Sequence, residues 1–107
     1  MVVTKRFEVW LVNLNPTKGR EISKTRPCVI ISPDEISALS TVLMAPMTTQ
    51  GFDFPCRISC RFMDKNGLIL LDQIRAVDKS RLVKKLGSIH PETQAVLCAC
   101  LQEMFTL

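Results

Sequence analysis

Between Cys56 and Phe62 the side chains alternate strictly: Cys56, Ile58, Cys60 and Phe62 fall on one face, and Arg57, Ser59 and Arg61 on the other. A period of two marks an extended strand with one face on a core and the other in water. Such a strand needs neighbours, because its backbone N–H and C=O groups must be paired. Residues 7–14, 28–31 and 42–47 are short apolar runs that could serve. The first of them is apolar on both alternating faces except at Glu8, as in a central strand covered on two sides. After the alternating stretch, Asp64-Lys65-Asn66-Gly67 marks a tight turn, with Asn66-Gly67 as its hairpin cue. Residues 68–71 and 73–77 continue the sheet, residues 78–81 make a polar corner, and residues 82–89 form a further short strand. Residues 32–37 are a connector of turn formers whose acids are solvated.

The pattern changes at His90-Pro91-Glu92. Proline fits the first turn of a helix, where its missing N–H costs nothing, and a glutamate there complements the helix dipole. A helix is therefore predicted from residue 91, with Leu97, Leu101, Met104 and Phe105 as one apolar stripe that packs on the sheet or on another subunit. His90 reads as a capping or surface histidine. Six or seven short strands with hairpin-like connections and one terminal helix suit a small, strongly bent antiparallel barrel, mainly β, closed by that helix. With 107 residues, 47% of them hydrophobic, the chain forms one domain with a real core. No apolar run reaches the roughly 18 to 20 residues of a membrane span, and the start lacks a signal peptide's apolar segment, so the expected location is the cytoplasm. The five cysteines lie in apolar runs without a Cys-x-x-Cys pair and read as buried thiols; no metal or other cofactor is expected.

The net charge of +4 is unevenly placed. Residues 1–32 hold Lys5, Arg6, Lys18, Arg20, Lys24 and Arg26 against Glu8 and Glu21, so the first hairpin carries the whole excess. A localised basic surface suits a polyanion such as nucleic acid, or an acidic protein partner. Within the hairpin, Pro16 and Gly19 are turn residues of the loop, and Arg26 sits at the base of the returning arm. Pro27 forces Arg26 into an extended conformation, so its side chain is held by sheet rather than by loop. A second constellation, Met47-Thr48-Thr49-Gln50-Gly51, ends the third strand with short hydrogen-bonding side chains suited to phosphate oxygens.

Taken together, residues 9–21, 25–32, Met47 to Gln50 with Pro55, and residues 71–82 resemble the MazF/PemK (Kid) family of toxin endoribonucleases, the mRNA interferases of bacterial toxin–antitoxin pairs. The resemblance covers nearly the whole chain. It implies an SH3-like barrel of the CcdB/PemK type, a homodimer, metal-independent cleavage of single-stranded RNA, and an acidic antitoxin of the MazE/PemI kind as partner. By position it places the essential arginine on Arg26, the essential threonine on Thr48 and a loop glutamate on Glu21. RNA contacts are expected from Lys18, Arg20, Lys24, Thr49, Gln50, Arg57, Arg61 and Lys79. Arg20 and Ile22 depart from the common loop pattern, which bears on base preference.

The chemistry suits these side chains. Cleavage through the 2′-hydroxyl needs removal of its proton, stabilisation of an anionic phosphorane, and protonation of the departing 5′-oxygen. A guanidinium donates two parallel hydrogen bonds to phosphate and keeps its charge in water. Arg26 is accordingly the expected electrostatic stabiliser and, because a guanidinium's pKa lies above about 12, only secondarily a candidate proton donor; Thr48 is the group that orients the phosphate, and Glu21 a candidate base. Two other functions fit the same barrel: a non-catalytic, CcdB-like poison of DNA gyrase, and a plain nucleic-acid-binding module.

Overall fold

The computed structural model describes residues 2–107. Strand β1 (Glu8–Asn13) pairs antiparallel with β2 (Thr25–Ile30), so the first hairpin forms with Asn13 opposite Thr25 across its loop. Strand β3 (Thr41–Thr48) pairs with β2 along one side. Its other side changes partner along its length: Thr41 to Met44 face β6 (Arg75–Asp78), whereas Met47 and Thr48 face β5 (Lys65–Leu70). β5 pairs with β4 (Arg57–Phe62), and β7 (Leu82–Ser88) pairs with β1. The path β4-β5-β3-β2-β1-β7 curls into an antiparallel half-barrel. One helix, α1 (Pro91–Met104), packs on β4.

The two-sided character of β1 is realised. Val9, Val29, Ala45, Met47, Ile58, Ile69 and Leu97 fill one core, while Val12, Leu14, Cys28, Ile30, Met44 and Val77 fill another on the opposite face, covered by Trp10, Ile22 and Leu82. Alternate residues of a strand point to opposite faces, so consecutive residues 28, 29 and 30 divide between the two cores. Glu8 is buried too, and its carboxylate accepts hydrogen bonds from the Lys5 N–H (2.9 Å) and Trp10 Nε1 (3.0 Å), with Lys85 Nζ at 2.9 Å. Burial pushes this carboxyl up, but its hydrogen bonds to Trp10, Lys85 and Lys5, with the Lys85 charge, outweigh that, leaving it below its ordinary range.

His90 caps α1, its Nδ1 accepting from the Glu92 N–H at 3.2 Å, and Pro91 opens the first turn. Leu97 is fully buried, a burial that contributes roughly 1.5 to 3 kcal/mol relative to an exposed leucine. Leu101 and Met104 pack against the same core, but Phe105 lies past the helix end and is 77% exposed, so the apolar stripe stops one residue short of expectation. The hairpin turn also differs. Phe62 pairs with Lys65, which makes Met63 and Asp64 the two turn residues, both at positive φ (50° and 61°), and puts Asn66 and Gly67 inside β5. Gly67 serves another end: a Cβ there would lie 2.6 Å from the Thr48 carbonyl oxygen, so its absence lets β5 approach β3. Of the five thiols, all free, only Cys28 and Cys60 are buried; Cys56, Cys98 and Cys100 are partly exposed.

Candidate nucleic-acid cleft

The register pairs Ile30 with Met44 and Cys28 with Pro46; extended two residues further along each strand it would set Arg26 against Thr48, and both line one cleft. The paired part of the β2–β3 ladder stops at Cys28 and Pro46, while on its other edge Thr48 is paired with Leu68 of β5. The splayed strands leave a cleft of about 310 Å³, lined by Arg26 and Pro27 of β2, Met47, Thr48 and Thr49 of β3, and Cys60, Phe62, Met63, Lys65 and Gly67 of the β4–β5 hairpin. The lining combines two cations, Arg26 and Lys65, and the hydroxyls of Thr48 and Thr49 with apolar side chains. Arg26 and Thr48, far apart in sequence, thus share one wall of space.

Arg26 is half-buried, and its Nε donates to the Ser23 carbonyl at 3.3 Å. That bond fixes the plane of the guanidinium. Among the described residues the terminal nitrogens have no protein partner, so the fork remains for an anion in the cleft. The Thr48 Oγ1 accepts from the Gln50 N–H at 3.1 Å, which settles its rotamer and keeps the hydroxyl proton for donation. Gly51 continues the loop at φ 128°, a conformation a larger residue would resist. Cys28 lies just beneath, its thiol donating to the Arg26 carbonyl at 3.5 Å. Burial raises that thiol to about 12, so it is a neutral packing group rather than a nucleophile. Burial likewise raises Cys60, and a hydrogen bond to Thr93 only partly offsets this.

Glu21 stands elsewhere. Its Oε1 accepts from the Lys18 N–H at 2.5 Å, and it lines a neighbouring cleft of about 380 Å³ with Leu14, Ile22, Pro46, Gln73 and Arg75. The expected trio is therefore divided between two clefts. Lys18, Arg20 and Lys24 are exposed on the β1–β2 loop, and Thr49 and Gln50 are exposed beside Thr48. Arg57 is committed: its Nε and Nη2 meet the Asp72 carboxylate at 3.3 and 3.2 Å, and its Nη1 donates to the Phe52 carbonyl. Arg61 holds Asn66 and Asp64 on the hairpin's outer face. Lys79 is 5% exposed and its ammonium donates to the Ser37 carbonyl, a bond that satisfies a buried charge and withdraws it from any polyanion. Among the described residues no three His, Cys, Asp or Glu side chains converge as a metal site.

Two features escaped the sequence. Lys65 contributes a cation to the cleft wall, hidden because the Asn66-Gly67 cue drew residues 64–67 into a turn. The second is the anchoring of the loop. Gln73 Oε1 accepts from the Ile22 N–H (2.8 Å), Arg75 donates to the Leu14 carbonyl (3.3 Å), and Arg81 donates to the carbonyls of Asn13 (3.2 Å) and Asn15. Asn15 Oδ1 closes the base by accepting from the Lys24 N–H at 3.0 Å. No local pattern signals partners more than fifty residues apart in the chain.

Comparison with known proteins bears on the family and the fold. A sequence model described as the PemK-like, MazF-like toxin of type II toxin–antitoxin systems matches residues 5–105. The endoribonuclease MazF of Staphylococcus epidermidis is 35% identical over 89 residues, covering 77% of this chain and 74% of that protein. Among solved structures, MazF of Deinococcus radiodurans superposes with a TM-score of 0.85 over 100% of both chains at 20% identity. A mycobacterial endoribonuclease in complex with its cognate antitoxin matches with a TM-score of 0.78 at 20% identity, over 94% of this chain and 92% of that one. At such identities the structural likeness establishes the fold.

Proposed function

The chain belongs to the PemK-like, MazF-like toxins of type II toxin–antitoxin systems, and from that premise we propose that it is an endoribonuclease cutting single-stranded RNA, mRNA above all, at selected sequences in the Arg26–Thr48 cleft. The observation that carries this is that Arg26 and Thr48 line one cleft beyond the paired part of the β2–β3 ladder, with a fixed guanidinium plane and a hydroxyl free to donate. A phosphodiester seated there meets two parallel donors from Arg26 and a third from Thr48. As the 2′-oxygen attacks, charge grows on the equatorial oxygens, and donors already in place stabilise it without reorganising.

The O2′–P bond forms as the P–O5′ bond breaks and the departing 5′-oxygen takes a proton from water, so the proposed products are a 2′,3′-cyclic phosphate and a 5′-hydroxyl. Proton removal by Glu21 requires the β1–β2 loop to carry its carboxylate from the neighbouring cleft, where the Lys18 N–H now holds it. Lys65 adds a second positive charge to the cleft lining. The carboxylates are scattered, so the reaction is proposed to need no metal. We further propose a homodimer, an acidic antitoxin that competes for the basic hairpin, and action in the cytoplasm. The antitoxin complex of the mycobacterial relative and the charge of the hairpin support the second of these. Among the described residues no helix is long and apolar enough to cross a membrane.

The experiment is incubation of a purified mRNA with the protein in excess EDTA, read at nucleotide resolution. Cutting at a few defined sites, lost on Arg26→Ala in a protein that stays folded, is the expected outcome. Intact RNA alongside inhibition of DNA gyrase would instead establish the gyrase poison, and RNA binding without cutting would establish the binding module.

A further inference from the structure

The loop that leaves β3 carries two aromatic rings in the open. Phe52 is 65% exposed and Phe54 is 61% exposed, with their planes at 89° and their centroids 6.1 Å apart. The Phe52 ring is held in place. The Arg57 guanidinium lies 4.8 Å from the Phe52 centroid, and its Nη1 donates to the Phe52 carbonyl at 3.4 Å. Arg57 is itself clamped by two parallel bonds to Asp72, and its side chain is only 17% exposed. A cation on one face of an aromatic ring fixes its orientation and leaves the rest of the ring to solvent. The loop is also continuous with the phosphate cleft, since a Cβ at Gly51 would lie 3.8 Å from both Thr48 Cγ2 and Arg57 Nη1.

We propose that Phe52, supported by Phe54 and braced by Arg57, is a stacking platform for an unpaired base next to the nucleotide whose phosphate lies between Arg26 and Thr48. This rests on the endoribonuclease reading above, and adds to it the feature that selects single strands. Every base has a π face, but a duplex hides it, so a ring held beside the phosphate site rewards only a strand whose bases are free to turn out. Arg57 is then a positioning residue for the ring rather than a phosphate contact. Its fork is occupied by Asp72 and the Phe52 carbonyl, which is the arrangement a brace requires.

The test uses the full-length protein and a short single-stranded RNA spanning a cut mapped for the unaltered protein, prepared in versions that each lack one base. For the unaltered protein, one abasic position beside the cut should raise KM by roughly 5- to 150-fold. Phe52→Ala should raise KM on the intact RNA by a similar factor with kcat little changed, and should no longer distinguish that abasic RNA from the intact one. Phe52→Trp should restore both the affinity and the discrimination. Failure of the unaltered protein to cut RNA would sink the endoribonuclease reading and the platform together. Cutting by the unaltered protein, with Phe52→Ala matching it in KM and in its response to every abasic position, would overturn the platform alone. So would a Phe52→Ala protein that cuts normally but has lost self-association or the binding of an acidic peptide.

Discussion

Gly67→Ala probes how the fold delivers Thr48 to the cleft. The added Cβ would sit 2.6 Å from the Thr48 carbonyl oxygen, 3.3 Å from its carbonyl carbon and 3.6 Å from Thr49 Cα. Real Cβ atoms stay at least 3.0 Å from such atoms, so β5 and β3 must part by about 0.4 Å or more, and the obstacle is backbone rather than a yielding side chain. Thr48 is paired with Leu68, the next residue along, so the parting falls on the site itself. Overpacking of this kind costs about 1 to 3 kcal/mol. Misplacing a catalytic group by about 1 Å can cost about a hundredfold in rate, so roughly a tenfold loss in kcat/KM is expected for a shift of about half that size. Gly19→Ala is the control. Nothing lies within 4 Å of its Cβ position, so only the positive φ of 57° opposes it, at a cost of about 1 to 2 kcal/mol. Urea unfolding and RNA cleavage measured on both variants separate the effects. A Gly67→Ala protein with parental stability and parental kcat/KM would refute the claim that this close approach positions Thr48.

Arg26→Ala should lower kcat by about a hundredfold or more, by analogy with deleting one donor of an oxyanion hole, and Arg26→Lys should rescue little because an ammonium cannot reproduce the fork; single-turnover cleavage checks both. Gln73→Ala leaves the Ile22 N–H without its acceptor, and should destabilise by about 1 to 3 kcal/mol while speeding hydrogen exchange at Ile22 and proteolysis within the β1–β2 loop. Because the Glu8 carboxyl is held below its ordinary value of 4.5 in the folded chain, its contribution to stability is present above that value and is lost as pH falls through the folded one. Glu8→Gln should therefore show a flatter acid limb in urea midpoint against pH than the parent.

The strands and the helix were legible because burial leaves its mark on local pattern. The one-sided alternation of β4, the two-sided run of β1 and the His90-Pro91-Glu92 helix start each follow from which faces meet the core. What was misread depended on tertiary approach. Asn66-Gly67 is a strong turn cue, yet here the glycine yields space to the Thr48 backbone and the turn falls to Met63 and Asp64, which accept positive φ. Lys79 looked like a surface cation in a polar corner, but it folds inward onto the Ser37 carbonyl. At the site, Arg26 and Thr48 were named from the sequence, and both line one cleft. The family resemblance also placed a loop glutamate on Glu21, whose position depends on a loop tied down by Gln73, Arg75 and Arg81. Those ties join segments that no sequence periodicity connects, which is also why the Arg57 brace under Phe52 went unseen, whereas Lys65 was hidden by the Asn66-Gly67 turn cue.

The central claim is that the Arg26–Thr48 cleft promotes attack by the RNA's own 2′-hydroxyl. Its most direct test replaces the single nucleotide 5′ of a mapped cut by its 2′-deoxy form, leaving every base, phosphate and protein contact otherwise in place. The expected result is loss of cutting at that position alone, with 2′,3′-cyclic phosphate and 5′-hydroxyl ends at the remaining sites, unchanged by EDTA. Cutting through the deoxy linkage at the parental rate, or 5′-phosphate ends that appear only with added magnesium, would contradict it.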